Sequence, residues 1–132
     1  MKGDKSGPTD WRQLREFSAV DLDKSFILSW HVDAEMLMID VDLHLTPEHP
    51  FYEKPRPEEQ VLFQPAIIEF PFCEQIKVDS DTASSVSETA ERLGHGAIEG
   101  LRRHEDGRYE ISGVFGTVFI VAERPLLRLK GP

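Results

Sequence analysis

The sequence holds a single cysteine, Cys73. No intrachain disulfide can form, so the fold must rest on a packed core, and a reducing compartment is expected. Cys73 lies in the apolar run PFCEQI and reads as a small buried hydrophobe rather than a nucleophile. No apolar run approaches the ~20 residues that cross a bilayer as a helix. The opening MKGDKSGPTD lacks the apolar segment of a secretion signal, which leaves the cytosol as the expected location. Basic residues are scarce, 15 Lys and Arg against 24 Asp and Glu, for a net charge of −9. Duplex affinity comes largely from Lys and Arg displacing counterions, and anionic membranes attract the same residues, so neither is an expected partner. The charge suits solubility, and it equally suits a basic protein partner. No serine elbow GxSxG, phosphate-cradling glycine loop or CxxC pair occurs. No catalytic residue and no cofactor are therefore expected.

What the chain does have is alternation. Residues 25–45 read SFILSWHVDAEMLMIDVDLHL. Apolar residues recur at period two, break at Asp33-Ala34-Glu35 and resume, the pattern of an antiparallel hairpin with one buried face. Setting Val32 opposite Leu37 pairs Trp30 with Ile39, Leu28 with Val41 and Phe26 with Leu43, all on the buried side. A slip by one residue would place Trp30 against Asp40, so burial fixes the register.

Around this hairpin the chain reads as one domain. Residues 1–10 are a loose leader, and 11–132 form a single β domain. Trp11, Leu14 and Phe17 have helical spacing, with Thr9 or Asp10 as the cap, and are expected to form a short helix or turn that lays an aromatic pair onto the sheet. Residues 46–60, TPEHPFYEKPRPEEQ, hold four prolines and form an extended loop, since proline fixes φ and lacks a ladder N–H. Residues 61–72 are strand-like, with Pro65 and Pro71 marking an edge, a bulge or a corner. A short strand follows at 75–79. Residues 79–93 lose the alternation: a surface helix capped by Asp81 and Gly94 and a mobile Ser-rich connection are both compatible with them. Strands are expected at 97–103, 108–113, 114–122 and 126–129, with a turn at His104–Gly107 carried by Asp106-Gly107. The nearly all-apolar stretch 114–122, VFGTVFIVA, is expected to be central and buried on both faces. The sum is an all-β, mainly antiparallel barrel or sandwich of seven or eight strands with one or two short helices.

Candidate chemistry gathers on the polar side of the hairpin. Asp40, Asp42 and His44 alternate on the second arm, and His31 shares their face on the first. Two carboxylates and two imidazoles would suit manganese, iron or zinc, though acids also alternate on any solvated strand. A triad from Ser29, His31 and Asp40 is conceivable, but nothing supplies an oxyanion hole. His44, Glu48 and His49 have the wrong spacing for a zinc peptidase, with Pro47 and Pro50 denying them a helix. Asp79-Ser80-Asp81 begins like a calcium loop, but Ala83, Ser84 and Ala90 stand where ligands or glycine are needed. The other reading is a docking surface: Asp40 and Asp42 together with Phe51 and Tyr52 of the proline-rich loop, aromatic anchors within an acidic rim.

The order Trp11-x-x-Leu14, FILSWHVDAEMLMIDVDL, PEHPFYEKPRP and DGRYEISGVFGTVFIV resembles a group of small bacterial all-β domains, some similar to immunity proteins of toxin systems. The resemblance implies an all-β domain that acts by binding, with a basic toxin as the kind of partner. It carries no site residue. An exposed strand edge would also permit a homodimer.

Overall fold

Trp11, Leu14 and Phe17 are all buried, yet the segment that carries them is not an α-helix. It forms two single-turn 3-10 helices, Trp11–Gln13 and Arg15–Phe17, the first capped by the Asp10 carboxylate accepting from the Arg12 N–H at 3.1 Å. Two tight turns suffice to lay Trp11 and Phe17 onto the sheet. The computed structural model describes residues 8–49, 63–78, 86, 89–90 and 93–130.

Among the described residues nine strands build the fold: β1 Thr9–Asp10, β2 Val20–Asp33, β3 Met36–Leu45, β4 Phe63–Phe70, β5 Gln75–Val78, β6 Gly96–Arg103, β7 Tyr109–Gly113, β8 Gly116–Val121 and β9 Leu126–Leu129. Every pairing is antiparallel, in the order β5-β8-β7-β6-β2-β3-β4-β9, with β1 added beside β6. The all-β expectation holds, with one strand more than the highest count expected because Thr9 and Asp10 pair with Arg103 and Arg102. The rest of the expected leader, residues 1–7, lies outside the described residues.

Residues 71–74 connect β4, near one end of this order, to β5 at the other. So short a link requires the sheet to roll back on itself, and the result is sandwich-like. β6 joins the halves: Gly96 and Ala97 pair with Ile27 and Phe26 of β2, while its length pairs with β7. Two ring contacts cross the interior, Phe70 to Tyr109 at 5.2 Å and Trp30 to Phe115 at 5.6 Å between centroids. The Trp30 indole N–H is satisfied by the Gly94 carbonyl at 2.7 Å, as a buried indole requires.

One expectation about these elements needs correction. Residues 114–122 are not buried on both faces: Val114 and Phe115 form the β7–β8 turn, and within β8 only Val118 and Ile120 are buried. Sandwich layers bury one face each, so alternation persists even where the sequence is apolar throughout. In 79–93, Val86, Thr89 and Ala90 are helical and Ala90 is buried, whereas the proposed cap Asp81 lies outside the described residues. The turn at 104–107 forms as expected, with Gly107 at φ +94 and the His104 N–H bonded to the Arg108 carbonyl at 2.7 Å.

Candidate functional site

The hairpin's tip has the expected register, Val32 opposite Leu37 and Trp30 opposite Ile39. Beyond Ser29 it does not. The ladder steps from Ser29–Asp40 to Ile27–Val41, leaving Leu28 as an extra residue in β2. One inserted residue reverses the phase of every side chain beyond it. Ile27 therefore points inward, opposite Val41, and Phe26 lies opposite Asp42 rather than Leu43. Phe26 and Leu28 are turned to solvent, 40% and 49% exposed.

A second, wider irregularity follows between Phe26–Asp42 and Asp21–His44. Ser25 closes it from inside. Its buried hydroxyl donates to the Asp21 carbonyl at 2.9 Å and accepts the His44 N–H at 3.0 Å, replacing the ladder bonds the extra residues interrupt.

The outer face of β2, β3 and β4 thus combines apolar and acidic groups. Phe63, the first residue of β4, packs edge to face on Phe26 with centroids 5.5 Å apart, and His44 lies 6.3 Å from the same ring. Asp42, opposite both Phe26 and Pro65, has no hydrogen-bond or ion-pair partner among the described residues. Asp40 is different. It accepts from the Ser29 hydroxyl at 2.9 Å, meets Lys130 Nζ at 3.0 Å and lies 3.5 Å from His31 Nδ1. Burial acts to raise the Asp40 carboxyl, but the hydrogen bonds from Lys130 and Ser29 outweigh it and hold the group below the ordinary carboxylate range. Of the two carboxylates expected to face a partner, Asp42 is available and Asp40 is already committed.

The residues considered for a metal do not come together. His31 sits beside Asp40, while His44 Nδ1 lies 3.7 Å from Asp21 Oδ2. Among the described residues no three His, Cys, Asp or Glu side chains converge as a metal site would need. Ser29, His31 and Asp40 do meet, but the carboxylate stands in the middle: the serine proton points to Asp40 and not to an imidazole. That order is not the serine–imidazole–carboxylate sequence of a triad. Burial pushes the Cys73 thiol up to about 11, which leaves little thiolate at neutral pH. Phe51 and Tyr52 lie outside the described residues.

The exposed aromatic pair on this face is Phe26 and Phe63, which sequence patterning did not single out. A signal for Phe26 was present: Phe26-Ile27-Leu28 are consecutive apolar residues and fit either phase of the strand. Phe63 gave none beyond its place at the end of the proline-rich stretch.

Among the described residues no helix is long and apolar enough to cross a membrane. No protein family, curated protein or solved structure matches the chain.

Proposed function

We propose that this is a non-enzymatic protein-interaction module that docks a basic protein on the outer face of β2, β3 and β4. The observation that carries the reading is the reversal at Leu28, which turns Phe26 and Leu28 to solvent and sets Phe26 against Phe63 and opposite the unpaired Asp42. Apolar anchors supply area to bury, and a charged surround supplies orientation and rate. The net charge of −9 favours a partner of opposite sign. The resemblance to immunity proteins supplies the form such a partner would take, a basic toxin held inactive in the bacterial cytosol.

The test uses the immobilised chain and three variants, Phe26→Ser, Asp42→Lys and Asp40→Lys. Phe26→Ser and Asp42→Lys are expected to lose retained basic proteins while keeping the wild-type melting temperature to within a few degrees. Asp40→Lys, which places a cation against Lys130, is expected to lower the melting temperature. Retention of the same proteins, in the same amounts, by Phe26→Ser and Asp42→Lys would overturn the reading.

A further inference from the structure

The same outer face ends, at the hairpin tip, in an open cleft of about 500 Å³ lined by Asp33, Glu35, Met36, Met38, Glu69, Phe72 and Arg128 among others. That volume lies within the roughly 300–1,000 Å³ typical of small-ligand sites. Two turns form its rim. Ala34 and Glu35 connect β2 to β3, Pro71 and Phe72 leave β4, and the Cys73 N–H ties the second turn to the Glu35 carbonyl at 2.7 Å.

Both turns hold a non-glycine residue in the left-handed region, Ala34 at φ 57 and Phe72 at φ 52. The conformation is unusual for a bulky aromatic residue. Its consequence here is that the Phe72 ring stands in solvent, 63% exposed, at the edge of the cleft. Met36 and Met38, both half-buried, make the opposite wall. The walls are therefore an aromatic ring and two adaptable thioether chains, a surface that moulds to an unbranched aliphatic stem.

The charges on this apolar lining are of one predominant sign. Glu69 is 2% exposed, and its two oxygens lie 3.2 and 3.1 Å from Arg128 Nη2, so this pair cancels. Asp33 and Glu35, both exposed, have no ion-pair or side-chain hydrogen-bond partner among the described residues. Three carboxylates against one guanidinium leave two negative charges at the mouth.

We infer that the cleft receives an arginine side chain of the docked protein, its stem along Met36 and Met38 and its guanidinium between the Phe72 ring and the carboxylates of Asp33 and Glu35. Arginine fits better than a compact cation because its planar head both stacks on aromatic rings and forks to carboxylates. Anions are repelled by the same two groups. This inference rests on the docking face proposed above and names the anchor the partner brings to its far end.

The chain contains three methionines, Met1, Met36 and Met38. The methyl groups of Met36 and Met38, labelled with carbon-13 and assigned by Met36→Leu and Met38→Leu, report on the cleft. Titration with N-acetylarginine amide is expected to shift the Met36 and Met38 signals saturably. N-acetylcitrulline amide, the same shape without the charge, is expected to shift neither. Asp33→Asn with Glu35→Gln, both in an exposed turn, is expected to weaken the response about fivefold, as for loss of solvent-exposed charge contacts. Equal shifts with citrulline amide or no response to arginine amide would each overturn the inference. Phe26 and Asp42 lie at the other end of the face and are not part of the cleft, so their variants leave this titration unchanged. A titration that fails while Phe26→Ser still abolishes partner capture removes the arginine site alone. A titration that succeeds while Phe26→Ser and Asp42→Lys retain every partner removes the docking reading alone.

Discussion

The Phe26 and Phe63 rings meet edge to face on the solvent side of the sheet, 5.5 Å apart with planes at 67°. They come from strands on either side of β3, so the contact bridges over it close to Asp42, and neither ring belongs to the core. An exposed aromatic pair of this kind is worth about 0.5–1.5 kcal/mol to the fold beyond its buried area. Phe26→Ser is therefore expected to cost roughly 1 kcal/mol of stability in urea unfolding. Its effect on partner binding is expected to be larger, about 2 kcal/mol or more, as for a central anchor. Measuring both on one protein preparation separates the two roles. Equal losses in folding and binding would reduce the pair to a structural contact.

Asp40 sets an acid limb in the stability profile. Burial acts to raise its carboxyl, but Lys130 and Ser29 hold it below the ordinary value of 3.8. A carboxyl depressed in the folded state contributes stability that is present above its unfolded pKa and lost as pH falls through the folded one. Glu110 behaves alike, because Arg102 and His104 outweigh the opposing effect of its burial. Stability is thus expected to be level with respect to these groups from neutral pH to about pH 5 and to fall below about pH 4. Asp40→Asn is expected to cost about 1 kcal/mol or less at pH 7, given solvent screening of the Lys130 pair. The gap from wild type should narrow at pH 3. A gap of constant size across that range would show that the ionised carboxylate does not act as described.

Ser25 makes a sharper prediction. Its hydroxyl serves the Asp21 carbonyl and the His44 N–H at once, at a position with no solvent exposure. Ser25→Ala leaves one backbone acceptor and one donor without partners, at a cost of about 1–3 kcal/mol. The loss should be local as well as global: the His44 amide is expected to exchange with solvent much faster in the variant than in wild type. Unchanged protection of that amide, measured by hydrogen exchange, would show that the irregular stretch of β2 holds its shape without the hydroxyl.

These bulges also mark the limit of what patterning can read. β3 was legible, because Leu37, Ile39, Val41, Leu43 and Leu45 recur at period two and all five are buried. So was the tip of the hairpin, where Trp30 and Val32 fit only one phase. At Phe26-Ile27-Leu28 three apolar residues in a row carry no phase, and the choice is made by a neighbour distant in sequence: Phe26 and Ile27 pair with Ala97 and Gly96 of β6. The outward placement of Asp40 and Asp42 was legible for the same reason as β3. Their different availability was not, since Lys130 reaches Asp40 from the far end of the chain and no local spacing announces it. The cleft at the tip was equally silent, because it depends on two turns brought together by one backbone hydrogen bond, Cys73 to Glu35.

Tyr109 offers a test in the opposite direction, a substitution expected to do no harm. Its ring is buried on β7 against Phe70, at 1% exposure, and its hydroxyl has no hydrogen-bond partner among the described residues. Burial pushes the phenol above its ordinary value, and the nearby Glu16 carboxylate pushes the same way, while Arg103 and Arg124 oppose. Glu16 itself is held by Arg124 at 3.1 Å through one oxygen, and its other oxygen and Arg103 Nε are likewise buried without a partner. The hydroxyl's one polar neighbour, the Arg103 side chain, approaches too loosely for a hydrogen bond of ordinary geometry, so Tyr109→Phe gives up little, relieves the desolvation, and is expected to leave stability unchanged or raise it by up to about 1 kcal/mol. Tyr109→Ala, which deletes the ring as well, is expected to cost about 3–5 kcal/mol through the cavity it opens. The two variants together divide the residue into ring and hydroxyl. A loss above about 2 kcal/mol in Tyr109→Phe would mean that the hydroxyl does hold a partner, the Arg103 side chain being the one at hand, and is not the unpaired group described.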